Sequence, residues 1–261
     1  MTTLDPRIPL GSVPRYQRYK HAPHWRSDIE EFDGCKFGFW LFLATEVLLF
    51  GGIFCGYFIF RTMYPQAWQE GSSALDWRWG GLNTVVLLIS SYTMATSIYC
   101  IQKGKFARAK ANLAVTLICG GLFVAIKLLF EYIPKWSGYF FFLDPALHSH
   151  YESLIVPNKA AFGGLWQYVE GYGGKRPGSL FAYPFATDPH MPMWWTIYYC
   201  GTAIHALHVL IGMALIARVL YRTTKNCYGP THYTMVEVTG LYWHLVDLIW
   251  IFLFPLLYLI H

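Results

Sequence analysis

A few ionisable side chains lie inside long apolar runs of this 261-residue chain: Glu46, the pair Lys127 and Glu131, the pair His205 and His208, and the pair His244 and Asp247. At the centre of a membrane-spanning helix each such group costs about 2.5–3.5 kcal/mol, so it is kept where it meets an internal partner or performs a function. His205 and His208, like His244 and Asp247, are spaced i, i+3, which puts both members of each pair on one helix face. Glu46 lies about nine residues from the basic end of its run, roughly 14 Å at the helical rise, and Asp247 and His208 have similar offsets. These depths predict a buried, proton-related polar cluster of Glu46, His205, His208, His244 and Asp247. A buried carboxylate without partners takes up a proton rather than stay charged, so at least one of Glu46 and Asp247 is expected to be neutral near neutral pH. Two imidazoles and a carboxylate would also suit iron or zinc. Neutral imidazoles and acids bonding across a helix bundle explain the pattern at lower cost, so no metal is expected.

Lys127 and Glu131 are spaced i, i+4, which favours a local ion pair, with the Lys127 stem snorkelling outward. Glu237, at the start of the last apolar run, fits compensation of a helix N-terminus. Trp77, Trp79, Trp194, Trp195 and Trp250 fall near the ends of apolar runs, where an aromatic belt forms. Lys127, Glu131, Glu237, Trp243 and Trp250 are thus read as lipid or helix-end contacts.

The elements that must position these residues follow from composition. The chain is 55% hydrophobic and 13% charged, against about 25% charged in ordinary soluble domains. Five runs, Phe37 to Phe60, Leu82 to Ile101, Asn112 to Ile133, Trp194 to Ala217 and Val238 to Ile260, reach the roughly 18 residues that mark a spanning helix. The fold expected is an all-α membrane bundle of five transmembrane helices: a tail over 1–36, helices 1–3 over 37–133, a long external loop over 134–193, and helices 4–5 over 194–261. The net charge of +5 does not signal nucleic acid, because the basic residues flank the apolar runs. Lys103, Lys105, Arg108 and Lys110 in the second connection, and Arg218, Arg222 and Lys225 before the fifth span, place the amino terminus on the cytoplasmic side.

The loop over 134–193 is rich in aromatics (Phe140, Trp166, Tyr168, Tyr172, Phe181) and reads as a folded external cap, with partial disorder as the alternative. The six cysteines form no C-x-x-C pair, so neither disulfides nor thiolate-bound metal is expected. No signal peptide is evident, and the first span is expected to direct insertion. P-loop, dinucleotide-glycine, H-E-x-x-H and C-x-x-C-H motifs are missing.

Particular strings narrow the reading further. GFWLFLATEVLLFGGIFCGYFIF from Gly38 resembles the helix of cytochrome c oxidase subunit III that bears the family's buried, carbodiimide-reactive glutamate, here Glu46. GLNTVVLLISS from Gly81 is similar to the family's LNT helix, and Glu131-Tyr132 to its Glu-Tyr helix end. IHALHVLIG from Ile204 and LYWHLVDLIWIFLF from Leu241 resemble its last two helices. The segments cover all five spans in family order, and Glu46, His205, His208, Glu237, His244 and Asp247 match its polar positions.

The resemblance implies a five-helix, bacterial-type subunit III of a respiratory haem-copper oxidase. Such a chain performs no catalysis itself and holds no cofactor beyond bound phospholipid. Haem and copper belong to partner subunits of a proton-translocating complex that reduces O2 to water in aerobic electron transport. Subunit I is the expected direct partner, with subunit II, other subunits and membrane lipid around it. The subunit supports proton uptake and stabilises subunit I. The external loop is expected to dock a cytochrome c domain or a neighbouring respiratory complex. The expected location is the bacterial cytoplasmic membrane in preference to the mitochondrial inner membrane. Seven-helix members carry two more amino-terminal helices, forming a lipid cleft, that have no counterpart here.

Other readings stay open. Subunit III of a quinol oxidase, or an accessory subunit of nitric oxide reductase, would share these strings. A proton-conducting transporter would use Glu46 and Asp247, although neither inverted repeats nor broken helices are evident. A metalloenzyme would need His205, His208 and His244 together.

Overall fold

The computed structural model of the protein describes residues 14–73, 75–132, 188 and 190–260. Helix α1 spans Asp28–Met63, α2 Pro65–Ser73, α3 Trp77–Gln102, α4 Phe106–Ile126, α5 Met191–Thr224 and α6 Thr234–Tyr258. A π-helical turn, Lys127–Tyr132, continues α4, and a 3-10 turn, Arg15–Arg18, precedes α1. Five of these helices, α1, α3, α4 with its π turn, α5 and α6, are long and apolar enough to cross a membrane. Most of the external loop expected over 134–193, with its aromatic residues, lies outside the described residues, as do Arg7 and His261.

Local chemistry sets the helix ends. α1 begins well before Phe37 because Ser27 caps it: the Ser27 hydroxyl accepts from the Glu30 amide at 3.2 Å, and Glu30 accepts from the Arg26 amide at 2.8 Å. Asp28, Glu30 and Glu31 in its first turn also favour the positive helix end. α3 ends at Gly104, whose φ of +69° lets the chain turn left-handed. There the Lys105 amide donates to Cys100 and the Gly104 amide to Ile101, at 2.8 and 3.0 Å. Asn226, at φ +53°, ends α5 with the same pair of bonds to Arg222 and Thr223.

The chain divides into two compact units, and all five long helices contribute to both. The first comprises Met1–Leu48, Val86–Gly121 and Leu207–Leu248. Its core is built from the aliphatic side chains Leu43, Leu87, Met94, Leu113, Val209, Ile216 and Val236 together with the buried rings of Tyr228, Tyr242 and Trp243. A Cβ at Gly212 would come within 2.8 Å of the Trp243 ring, so only glycine admits it. The second unit comprises Leu49–Val85, Leu122–Ala206 and Ile249–His261. Its core is aromatic, with Phe50, Tyr57, Trp68, Phe123, Trp194, Trp195, Tyr198, Trp250 and Tyr258 buried.

Buried hydroxyls are satisfied along their own helices: Ser90, Ser97, Thr116, Thr202, Thr223 and Thr239 each donate to a carbonyl three or four residues earlier. Half of the apolar window of α6 is buried but only 11% of that of α1. α6 is therefore the hub, and α1 presents Leu41, Leu48, Phe58 and Ile59 outward.

Candidate functional site

In the first unit, α1 and α5 bring Glu46 and His208 into contact. His208 Nε2 lies 2.8 Å from Glu46 Oε2, with 11% and 15% of the two side chains accessible. The Tyr242 ring stacks beside the imidazole with centroids 6.4 Å apart, and its hydroxyl reaches the His208 carbonyl at 3.4 Å. The contact sets an imidazole nitrogen and a carboxyl oxygen at hydrogen-bond distance, an arrangement across which a proton can pass.

A second polar group in the same unit lies between α3 and α6. Ser91 Oγ is 2.7 Å from His244 Nδ1. Asp247, one turn on and 3% exposed, has neither carboxyl oxygen in hydrogen-bond geometry, although the Ser91 side chain acts on it. Neighbouring Ser90 accepts from the Trp243 indole at 3.1 Å. At the start of α6, Glu237 sits in the first turn and also accepts from Lys36 at 2.5 Å.

The second unit holds a more deeply buried ionisable pair. Lys127 and Glu131 form an ion pair with side chains 3% and 4% accessible. Glu131 Oε2 accepts from Lys127, from the Tyr198 hydroxyl at 2.7 Å and from the Tyr258 hydroxyl. The Lys127 ammonium lies 5.0–5.8 Å from the ring centroids of Tyr132, Tyr198, Trp250 and Tyr258, within cation–π range. The π turn widens the helix at this point and turns Lys127, Glu131 and Tyr132 all inward. Tyr132 in turn shares a 2.6 Å hydrogen bond with Thr202. His205, fully buried, packs edge-on to Phe123 at 5.6 Å and beside Trp250 at 5.2 Å.

Several sequence expectations are corrected. Of the five residues expected to cluster, Glu46 pairs with His208 and His244 with Ser91, while Asp247 lies one turn from His244. The His205 ring lies against the aromatic rings of Phe123 and Trp250. Lys127 does not snorkel, because its partners are inside the unit. Trp243 and Trp250 are not lipid contacts. Both are fully buried, with indoles donating to Ser90 and Thr84, because α6 is the hub. Trp194 and Trp195 are likewise core, whereas Trp77 is 58% exposed. Among the described residues no three His, Cys, Asp or Glu side chains gather as metal ligands.

Sequence reasoning missed Ser91 and the Tyr198 and Tyr258 hydroxyls. A tyrosine in a spanning helix needs a hydrogen-bond partner for its hydroxyl, and that need is the signal that points to them.

These helices define the class, a membrane protein of five spanning helices with ionisable pairs held between them. Residues 189–261 match the family model for cytochrome c oxidase subunit III. The chain is 28% identical to cytochrome c oxidase subunit 3 of Synechocystis over 92% of its own length and 79% of that protein's. It is 26% identical to cytochrome bo(3) ubiquinol oxidase subunit 3 of Pseudomonas putida over 85% of its own length and 84% of that protein's. A heme-copper oxidase subunit I+III of Aeropyrum pernix is 24% identical over 87% of this chain and 23% of that much longer protein. The resemblance to subunit III of the haem-copper oxidases therefore holds over most of the chain.

Proposed function

We propose that this chain is the non-catalytic subunit III of a respiratory haem-copper terminal oxidase, in which Glu46 and His208 hold an exchangeable proton. The observation that carries the reading is the 2.8 Å contact between them inside an apolar unit. It joins the helix whose string resembles the family's glutamate helix to the helix that matches the family model. Ser91, His244 and Asp247 form a second polar group whose proton would serve the same uptake. The chain brings no oxygen chemistry of its own. Haem and copper reside in subunits I and II, and this subunit stabilises subunit I beside it. The relative whose description joins subunits I and III supports that partnership.

The outward apolar residues of α1 suit acyl chains of bound phospholipid and a neighbouring subunit. The basic connections at Lys103 to Lys110 and Arg218 to Lys225 belong to the same unit as the amino-terminal segment. By the bias of basic residues toward the inner side, these connections support a cytoplasmic amino terminus in a bacterial cytoplasmic membrane. The segment 134–193 would then face outward and dock a cytochrome domain or another respiratory complex. Deleting residues 140–185 is expected to impair cytochrome-linked turnover, and unchanged assembly and turnover would remove that role.

A hydrophobic carbodiimide applied to intact membranes tests the central claim. Glu46 is expected to be labelled, and Glu46→Gln to abolish the label. The purified complex is expected to carry haem in a large partner and none on this chain. Lack of labelling, or purification without a haem-bearing partner, would overturn the reading. The Pseudomonas putida relative favours a second electron donor, since its identity and coverage rival those of the cytochrome c oxidase relatives. Oxidation of ubiquinol but not reduced cytochrome c by the purified complex would select it.

A further inference from the structure

The segment ahead of α1 is fastened to the α5–α6 connection at several points. The Tyr16 amide donates to the Asn226 carbonyl at 3.2 Å. The Tyr16 ring covers Gly229 so closely that a Cβ there would come within 2.6 Å of it. The Tyr19 ring stacks on His232 with centroids 3.6 Å apart and planes 18° from parallel, and its hydroxyl donates to Glu31 at 2.9 Å. Phe32 packs on Tyr233 at 5.7 Å, and Lys36 pairs with Glu237. The receiving connection is preformed: Asn226 takes a left-handed turn, and Gly229 and His232 exchange backbone hydrogen bonds of 3.0 Å. α1 has the smallest buried share of the five spans, so these fastenings supply much of what holds its inner end.

We propose that residues 14–36 form a proton-sensitive latch on the α5–α6 connection, with His232 as its sensor. The imidazole is faced by Tyr19 from the amino-terminal segment, Asp28 and Glu31 from α1, Arg222 from α5, and Tyr228 from its own connection. Burial pushes the His232 pKa below its ordinary value, Arg222 adds to the fall, and attraction to Glu31 and Asp28 does not reverse it. Tyr19 is pushed up to about 12 by burial and by Glu31, so it stays neutral over the range in which His232 titrates. His21 and His24 touch Ala22 and Trp25 of their own segment instead of the connection.

The sign follows. The latched imidazole of His232 takes up a proton less readily than the released one, whose pKa is the ordinary value. The latch is at full strength above about pH 6.5 and weakens as pH falls below it, by at most about tenfold per pH unit for one proton. Cation–π attraction of a charged His232 to Tyr19 opposes this effect and limits it. The latch stands independently of the oxidase reading, because its state is read in the resting protein without turnover.

Hydrogen exchange of the intact complex in membranes tests it. Protection of the Tyr16 amide, corrected for intrinsic rate, is expected to fall between pH 7.5 and 5.5, by at most about tenfold. His232→Phe keeps a ring in the stack and removes the proton, and its protection is expected to stay constant over that range. Tyr19→Leu is expected to lower protection at both pH values. Constant protection in the native protein, the same fall in His232→Phe, or no effect of Tyr19→Leu would each overturn the proposal.

Discussion

Two of the ionisable pairs among the described residues, Glu46 with His208 and Lys127 with Glu131, differ in how many donors the carboxyl group holds. Glu46 and His208 share one hydrogen bond, with 15% and 11% of their side chains accessible. Lys127 and Glu131 are 3% and 4% accessible, and Glu131 takes donors from one ammonium and two phenols. A carboxylate with one titratable partner can gain or lose a proton at modest cost. A carboxylate holding three donors is biased toward its charged form, because each donor favours that form. The difference teaches that partner count, more than burial, separates a group suited to exchange from one suited to fastening helices together.

The comparison can be broken most severely at the fastened pair. Lys127→Met strands the Glu131 charge and is expected to cost about 3–5 kcal/mol, seen as loss of assembled complex on thermal unfolding. Lys127→Met combined with Glu131→Gln should recover most of that loss. If the single and double variants behave alike, the pair is not a fastening. Tyr258→Phe removes one donor to the ionised carboxylate and should destabilise by about 1.5–3 kcal/mol in the same assay.

The exchange pair is expected to behave otherwise. Glu46→Gln keeps hydrogen-bonding capacity while losing the proton, so stability should change by less than about 1 kcal/mol. The pH dependence of turnover should shift all the same, and an unchanged profile would make Glu46 structural. Smallest of all, Lys36→Ala removes a partly accessible pair and should cost about 0.2–1 kcal/mol, lessening as salt is raised.

Much of this was legible in the sequence, for reasons of arithmetic. Apolar run length located the five spans, because the hydrocarbon thickness fixes how many residues a helix needs. Glu46, His208 and Asp247 stood out because lipid tolerates few charges, and the depth of Glu46 and His208 along their runs anticipated a shared level. Trp250 was read wrongly because a tryptophan near the end of an apolar run looks alike whether it faces lipid or core. The ring neighbours of His205, Phe123 and Trp250, were not legible for a related reason. Spacing of i, i+3 fixes a common helix face but not the neighbour that face meets.

By itself, then, the sequence determined the helical class, the number of described spans and the identity of the scarce ionisable groups, since these depend on composition counted along one chain. Tertiary structure alone decided that Glu46 meets His208 while His244 meets Ser91, that a π turn swings Lys127 inward among Tyr132, Tyr198 and Tyr258, and that Tyr19 lies on His232. The physical reason is rotation. A helix can turn about its axis at little cost to its own hydrogen bonds, so only packing against the other helices selects which side chains face each other.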